Sequence, residues 1–152
     1  MKLKVSRMNS EFVIAVHALA YMGHKQDKVS SEELAENICT NPAKIRKVMS
    51  ALRKQEIIAT KEGKYGGYVL NKKPEDIYLD QLIKALNRDI IQAPWKSGSL
   101  DMPCIVASGM KFVMDGMAAE MNEQVTAYLH DQSIQDVIQQ LEVIAQQVHK
   151  EE

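Results

Sequence analysis

Two short helices with almost no chain between them are the feature that most constrains how this sequence folds. Ser30 and Glu33 form a capping-box pattern, which predicts a helix of about two to three turns. Asn41 followed by Pro42 is typical of an N-cap and a first helical position, so a second helix is predicted only two residues after the first ends. Such a tight connection is typical of a helix-turn-helix, in which the second helix is presented to the major groove of DNA.

The segment after these helices predicts a β-hairpin. Residues 57–60 are rich in β-branched side chains, residues 68–70 are apolar, and residues 62–67 between them include three glycines. Glycine suits the irregular dihedral angles of a tight turn, so we interpret all three as turn residues. A hairpin that directly follows a helix-turn-helix is called a wing. The whole pattern therefore predicts a winged helix-turn-helix, which is a mainly α fold with a small β-hairpin.

Apolar residues at helical spacing predict four further helices. These cover residues 9–24, 79–86 and 105–129, and a last segment that Ser133 caps. A loop is predicted over residues 92–103, which contain two prolines, a glycine and two serines.

This pattern divides the chain into three parts. Residues 1–88 are predicted to form a winged helix-turn-helix DNA-binding domain. Residues 89–104 form a loop that is a candidate sensing region, and residues 105–152 form a helical dimerisation segment.

The long predicted helix carries a stripe of methionines spaced three and four residues apart. Its members are Met110, Met114, Met117 and Met121. Such a stripe can be a seam against a second chain, or ordinary core within one chain, and the sequence gives the two readings nearly equal weight. Gly109 and Gly116 weaken an isolated helix by roughly 1 kcal/mol each relative to alanine, so packing must supply the difference.

The charges of the chain are distributed unevenly. Residues 1–73 hold 14 Lys/Arg and 7 Asp/Glu, a net charge of +7, whereas residues 74–152 hold 5 and 13, a net charge of −8. A basic half beside an acidic half is typical of a nucleic-acid reader with a separate assembly or sensing segment, because phosphate neutralisation needs concentrated Lys and Arg. Chance variation of surface charge is the alternative.

The candidate DNA contacts are the polar residues of the second short helix that point away from its apolar side, together with the basic and aromatic residues of the wing. They are Asn41, Lys44, Arg46, Lys47, Ser50, Lys61, Lys64 and Tyr65. Arg46 and Lys47 are the foremost of these, since arginine can bond guanine bidentately and lysine usually neutralises phosphate. A merely solvated basic face is the alternative for the helix, and a simple turn residue is the alternative for Tyr65.

The sequence resembles the Rrf2 family of bacterial winged helix-turn-helix transcription regulators. The resemblance is carried by Met1-Lys2-Leu3 and by residues 18–22, 30–36, 45–52, 63–70 and 74–77. It covers residues 1–88 well and the remainder by architecture only. It implies a homodimer that pairs through the long helix and grips an inverted-repeat operator, with half-site centres about 34–36 Å apart. We expect a repressor.

Two departures from the family pattern affect what the resemblance implies. Glu62 stands where the family commonly has an arginine, so operator preference should differ and Lys61 and Lys64 carry the positive charge of the wing. Iron–sulfur members have three cysteines after the fourth helix, whereas only Cys104 is present here. One thiolate cannot hold a cluster that takes several protein ligands, so we expect no cofactor. A site completed by His17, His24 or partner residues stays open.

The signal to which such a regulator responds has three possible readings in this sequence. Cys39 lies in the turn between the two short helices and Cys104 precedes the long helix, so a disulfide from Cys104 to Cys39 of a second chain would form a redox switch. The alternative, which we favour from the usual burial of free cysteine, is that both thiols are small core residues. A small ligand bound in the loop around Trp95 is the third reading. The alternative role for Trp95 is to anchor the loop on the core, which is the commoner role of such a residue.

Other classes of function find little support in the sequence. The four histidines, His17, His24, His130 and His149, show no metal-ligand spacing, and no catalytic or nucleotide-binding motif stands in a suitable context, so we predict no metal and no enzyme. No apolar stretch is long enough to span a membrane and no signal peptide is evident, which predicts a cytoplasmic protein. A winged helix used only for protein contacts is the alternative function.

Overall fold

The computed structural model describes residues 8–92 and 95–148 and is mainly helical with one antiparallel hairpin. Its elements are α1 (Ser10–Lys25), α2 (Ser31–Ile38), α3 (Pro42–Lys54), β1 (Ile58–Lys61), β2 (Gly67–Leu70), α4 (Leu79–Leu86), α5 (Ile105–His130) and α6 (Ile134–Val148), with a short 3-10 turn at Pro74–Asp76. The predicted fold class is confirmed. Met1-Lys2-Leu3, His149, residues 93–94 of the loop and the last residues of the predicted dimerisation segment lie outside the described residues.

The predicted caps Ser30 and Asn41 start α2 and α3, and Asn9 caps α1. Asn9 Oδ1 accepts a hydrogen bond from Glu11 N at 2.9 Å, and Ser30 Oγ accepts one from Glu33 N at 3.1 Å. The second half of the expected capping box is absent, because the carboxylate of Glu33 instead accepts hydrogen bonds from Tyr21 and Lys25 of α1. The side chain that was expected to close the cap thereby ties α2 to α1.

Helix α1 is the centre of the core. It packs against α3, α4 and α6. Leu19, Ile45, Leu52 and Leu82 are fully buried between these helices, and each such side chain contributes about 1.5–3 kcal/mol relative to an exposed one. The core fixes α3 by its apolar side and leaves the opposite side of that helix facing solvent.

The wing is bound to the segment before α2 by Val29, a residue that sequence analysis did not identify. The two predicted strands pair, with Ile58 opposite Leu70, and the pairing extends to Lys61 and Gly67, which lie outside the predicted strands. Val29, just before α2, adds a bridge to β2: its N–H donates to Tyr68 O at 3.0 Å and its carbonyl accepts from Tyr68 N at 2.8 Å. The root of the wing is therefore held by the segment that leads into the helix-turn-helix.

The wing glycines serve two different purposes. Of the three wing glycines only Gly63 has a positive φ, of 109°. Gly66 closes the turn, since its N–H donates to Gly63 O at 3.0 Å, whereas Gly67 lies in β2, so the prediction that it is a turn residue is wrong. At Gly66 and Gly67 a side chain would not fit. A Cβ on Gly67 would lie 2.7 Å from Val29 O, and one on Gly66 would meet the carbonyl of Lys61. Glycine here permits a close approach of two backbones.

The methionine stripe does not lie in the core of its own chain. Met114, Met117 and Met121 are 43%, 51% and 44% exposed. Helix α5 packs against α4, and Asn122 in its second half bonds the backbone of Ile91, which follows α4, at 2.9 and 3.0 Å. The interpretation as ordinary intramolecular core is therefore wrong for these three methionines.

Candidate nucleic-acid interface

The two sides of α3 differ sharply. Ile45, Val48, Met49 and Leu52 are buried against the core. The other side presents Lys44, Arg46 and Lys47, which are all exposed, and the half-buried Ser50. The fold thus brings these four predicted DNA contacts onto one accessible face of α3. None of the buried apolar side chains lies on that face.

Asn41 has a structural role in addition to the predicted one. Its Oδ1 accepts a hydrogen bond from Lys44 N at 2.9 Å and caps α3. The Nδ2 group of an asparagine side chain remains a donor when the oxygen is used for a cap. Asn41 is exposed at the N-terminus of α3, where donors to a phosphate are favoured by the helix dipole.

Two of the basic side chains on α3 have acidic neighbours. Arg46 Nη1 lies 3.8 Å from Glu32 Oε1, and both side chains are more than half exposed, so this pair is weak. Lys47 Nζ lies 2.6 Å from Glu11 Oε1, and Arg88 Nε lies 3.4 Å from the other oxygen of Glu11. Within the described ranges no carboxylate lies within 4 Å of the Lys44 ammonium. Sequence analysis missed Glu11 and Arg88, which have no local signal because they lie far from α3 in the chain.

The wing places the remaining predicted contacts in solvent. Lys61 is the last residue of β1, and Lys64 and Tyr65 lie in the tip that follows it. Tyr65 is 73% exposed, and the Lys64 ammonium lies 5.8 Å from the centroid of its ring. Glu62 is exposed in the same turn. The tip therefore presents two cations and one aromatic ring beside a single carboxylate.

Both cysteines are exposed, so the interpretation as buried core residues is wrong. Cys39 ends α2 in the left-handed conformation, with φ of 58°, and its Sγ faces Glu36 O at 3.7 Å. Cys104 is the N-cap of α5, and the backbone N–H groups of Ala107 and Val106 lower the pKa of its thiol. Trp95 is 79% exposed, which excludes the reading that it anchors the loop on the core.

The residues present do not fit an iron–sulfur cluster. The chain has two cysteines, whereas a cluster takes several thiolate or imidazole ligands. Cys39 and Cys104 belong to separate elements, and across residues 8–92 and 95–148 there is no group of three or more His, Cys, Asp or Glu side chains that could hold a metal ion. The helices of these same ranges include none that is long and apolar enough to cross a membrane.

Comparison with known proteins places this architecture in one family. The family model Rrf2, described as an iron-dependent transcriptional regulator, matches residues 8–140. The chain is 33% identical over 81 residues to YwnA of Bacillus subtilis and 32% identical over 73 residues to an rrf2-like protein of Rhodobacter capsulatus, both named as HTH-type transcriptional regulators. These matches span 53% and 48% of this chain and 59% and 49% of the two relatives.

Solved structures show the same fold along nearly the whole chain. A transcriptional regulator from Lactobacillus plantarum is 26% identical, with a TM-score of 0.72 over 93% of this chain and 98% of its own. The global cysteine regulator CymR of B. subtilis is 18% identical, with a TM-score of 0.60 over 91% of this chain and 98% of its own, and IscR of T. potens is 19% identical, with a TM-score of 0.63 over 93% and 90%. The last two show the fold alone.

The comparisons identify regulators rather than enzymes, which confirms the prediction that this protein is not an enzyme. The winged helix-turn-helix, the basic outward face of α3 and the family match over residues 8–140 agree with one another. The chain belongs to the Rrf2 family of transcriptional regulators.

Proposed function

We propose that this protein is a repressor that binds an inverted-repeat operator as a homodimer, with α3 of each chain in the major groove and each wing beside it. One observation carries the proposal most directly. The apolar side of α3 is fully engaged with the core, while Lys44, Arg46 and Lys47 all lie in solvent on the opposite side. A helix held by one side with cations on the other is suited to enter the major groove.

Each side chain of this face has a role that follows from its chemistry. Arg46 bonds a guanine edge bidentately, since its acidic neighbour Glu32 is exposed and easily replaced. Lys44 and Lys47 neutralise phosphates, and Asn41 and Ser50 donate hydrogen bonds to the backbone or to base edges.

The wing makes contacts of a different kind. Lys61 and Lys64 attract the backbone of the duplex next to the site read by α3, and Tyr65 bonds a phosphate or stacks at the tip. Glu62 repels phosphate at the same tip, so we expect the wing to select a different flanking sequence from that of family members with an arginine there.

The homodimer rests on the exposed methionine stripe of α5. An apolar helix face of this length that stays in solvent is unfavourable and marks an interaction surface. In this arrangement residues 1–88 bind DNA, residues 105–152 pair the chains, and residues 89–104 respond to an effector. Two winged domains related by a two-fold axis then read half-sites about 34–36 Å apart.

We propose that the regulator works without an iron–sulfur cluster, since its donor set does not fit one. Two effectors stay open. Oxidation of Cys39 and Cys104 is supported by the exposure of both thiols, and a small ligand in the loop is supported by the exposed Trp95.

Selection of bound fragments from the genomic DNA of the source organism tests this function. We expect enrichment of an inverted repeat, and a footprint in which two protected half-sites lie one helical turn apart. Binding should weaken steeply with added salt, because phosphate neutralisation releases counterions. Failure to enrich any fragment at low salt would contradict the proposal and favour a winged helix used for protein contacts.

A further inference from the structure

The C-terminal end of α4 lies beside the first turn of α1. Helix α4 packs against both α1 and α3. It ends at Asn87, which has a left-handed conformation with φ of 49° and donates its backbone N–H to Lys84 O at 3.3 Å. Arg88 is the next residue, and its Nε atom lies 3.4 Å from Glu11 Oε2. The fold thus brings an arginine from the end of the predicted DNA-binding domain to the start of α1.

The carboxylate that contacts Arg88 also holds Lys47 of α3. Lys47 Nζ lies 2.6 Å from Glu11 Oε1, so Glu11 bridges two cations from different elements. Because both cations contact one carboxylate, Lys47 Nζ and Arg88 Nε lie no more than about 8 Å apart. The phosphates of one DNA strand follow one another about every 3.4 Å along the helix axis. Two cations at this separation therefore suit one phosphate or two neighbouring phosphates.

Without Arg88 this group of side chains would carry no net charge. Lys47 and Glu11 have opposite charges, and a neutral pair does not neutralise a phosphate. Arg88 adds a second positive charge to the same carboxylate. Within the part of the chain that the structure describes, Glu11 is the only carboxylate that pairs with either cation within 4 Å. Asp89 follows Arg88 in the chain but lines the cleft between α4 and α5.

Both cations are accessible, whereas the carboxylate between them is more covered. The side chains of Lys47 and Arg88 are 64% and 51% exposed, and that of Glu11 is 20% exposed. The contact with Glu11 is made through Nε of Arg88, and a guanidinium has four further N–H donors on its two Nη atoms. These donors form the planar fork that suits the oxygens of a phosphate.

The backbone around Arg88 is fixed on both sides. Before it, Asn87 ends α4 with its own hydrogen bond. After it, Ile90 packs against the core, and Ile91 is held by both atoms of one amide: its N–H donates to Asn122 Oδ1 at 2.9 Å and its carbonyl accepts from Asn122 Nδ2 at 3.0 Å. Arg88 therefore starts from a defined position, which reduces the entropy that a DNA contact would lose.

We propose that Arg88 is a further DNA-binding residue, which forms a phosphate site together with Lys47 on either side of Glu11. The inference rests on the proposed function and adds a contact from outside α3 and the wing. When Lys47 leaves Glu11 for a phosphate, Arg88 stays beside the carboxylate and compensates its charge. The Nη groups of Arg88 donate to the same phosphate or to its neighbour. Such a contact reads no bases, so it strengthens binding to every sequence.

Arg88→Gln tests the inference through the salt dependence of DNA binding. We expect the slope of log affinity against log salt to fall by about two for a dimer, because each chain loses one phosphate contact. Anisotropy titrations should show this fall with the selected operator and with an unrelated duplex of equal length. Arg88→Lys keeps the charge and should keep most of the slope. Lys84→Gln removes the same charge from a residue that pairs with Asp80 in the α4–α5 cleft, and serves as the matched control.

A second comparison separates a direct contact from an effect that acts through Glu11. If Arg88 only held the carboxylate in place, its removal would have no effect once that carboxylate is gone. We therefore compare Glu11→Gln with the double variant Glu11→Gln/Arg88→Gln, and expect the slope of the double variant to be smaller by about two. Sedimentation and circular dichroism of each variant confirm that its dimer and its helices are intact.

Three outcomes would overturn the inference while the proposed function stands. Equal slopes for wild type and Arg88→Gln would show that Arg88 meets no phosphate. Equal slopes for Glu11→Gln and the double variant would reduce Arg88 to a residue that positions Glu11. An equal fall of the slope in Lys84→Gln would assign the effect to the overall charge of the protein. A wild-type chain that binds no DNA fragment would instead remove the proposed function, and this inference with it.

Discussion

Lys47 of α3 donates a hydrogen bond to Glu11 of α1, with 2.6 Å between Nζ and Oε1. Glu11 is only 20% exposed and also pairs with Arg88, which follows α4. The ammonium group proposed to contact phosphate is therefore held by a carboxylate in the absence of DNA. DNA binding by Lys47 requires exchange of this partner for a phosphate, so Glu11 opposes binding while it orients the helix.

Glu11→Gln should strengthen DNA binding. The substitution keeps the shape of the side chain but removes the charge that competes with phosphate for Lys47. We expect a steeper salt dependence, with the slope of log affinity against log salt larger by about two for a dimer. Fluorescence anisotropy of a labelled operator across a salt series measures this slope. Glu75→Gln removes the same charge from an exposed position away from α3, and an equal change in that control would contradict the role of Glu11.

Gly67→Ala should loosen the wing. The added Cβ would lie 2.7 Å from Val29 O, so the two backbone hydrogen bonds between Val29 and Tyr68 must lengthen or break. We expect a loss of roughly 1–3 kcal/mol in the free energy of unfolding, together with weaker operator binding. Urea denaturation followed by circular dichroism gives the stability. Thr60→Ala, at an exposed position of the same hairpin, is the control, and equal stability of the two variants would refute the close-approach argument.

Asp80 should make stability depend on pH. It is 3% exposed at the start of α4 and accepts hydrogen bonds from His130 Nδ1 at 3.1 Å and Lys84 Nζ at 3.4 Å. Burial raises the pKa of this carboxyl, but the bonds from His130 and Lys84 outweigh burial and hold the pKa below its ordinary value. A lowered folded-state pKa stabilises the fold above the unfolded pKa, and this stabilisation is lost as pH falls through the folded pKa.

Asp80→Asn should therefore lower the melting temperature at pH 7, and the difference from wild type should shrink below about pH 4. At pH 7 we expect the substitution to lower the free energy of unfolding by about 1–3 kcal/mol, because a buried carboxylate that bonds His130 and Lys84 is replaced by a neutral amide. Calorimetry between pH 3 and 7 measures it. The exposed Asp76→Asn serves as the control. If the melting temperatures of Asp80→Asn and wild type differ by the same amount from pH 3 to pH 7, the ionised carboxylate of Asp80 is not the cause of the difference.

The exposed cysteines predict a response to diamide. If Cys39 of one chain reaches Cys104 of the other, with Cα atoms within about 4.4–6.8 Å, oxidation gives a dimer-sized band on non-reducing gels and reduces operator affinity. Both Cys39→Ser and Cys104→Ser should abolish the band. An unchanged monomer band with intact DNA binding would exclude the switch and leave a small ligand as the effector.

The helices and the wing could be predicted because their signals are local. Asn41 caps α3 three residues from Lys44, and the spacing of Ile45, Val48 and Leu52 identifies the buried side. Contacts between distant parts of the chain could not be predicted in this way. Glu11 and Lys47 are 36 residues apart, and their pairing depends on how α1 crosses α3.

Other features were predicted with the wrong physical reason or the wrong environment. Gly67 looks like a turn glycine in the sequence, but it lies in β2, and the approach of Val29 to it is visible only once the fold is formed. Residue statistics favoured the core for Cys39 and Cys104 over the redox switch, whereas both residues lie at helix ends and are exposed.

DNA binding through the outward face of α3 is the central claim, and the double variant Arg46→Ala/Lys47→Ala tests it most directly. Anisotropy titrations of the selected operator would compare this variant with wild type at fixed salt, and sedimentation and thermal unfolding would confirm an intact dimer. The proposed function predicts that specific binding is abolished, whereas the dimer stays intact and loss of the Lys47–Glu11 pair lowers the free energy of unfolding by at most about 1 kcal/mol. Full operator affinity in the double variant would contradict the assignment of α3 as the recognition helix.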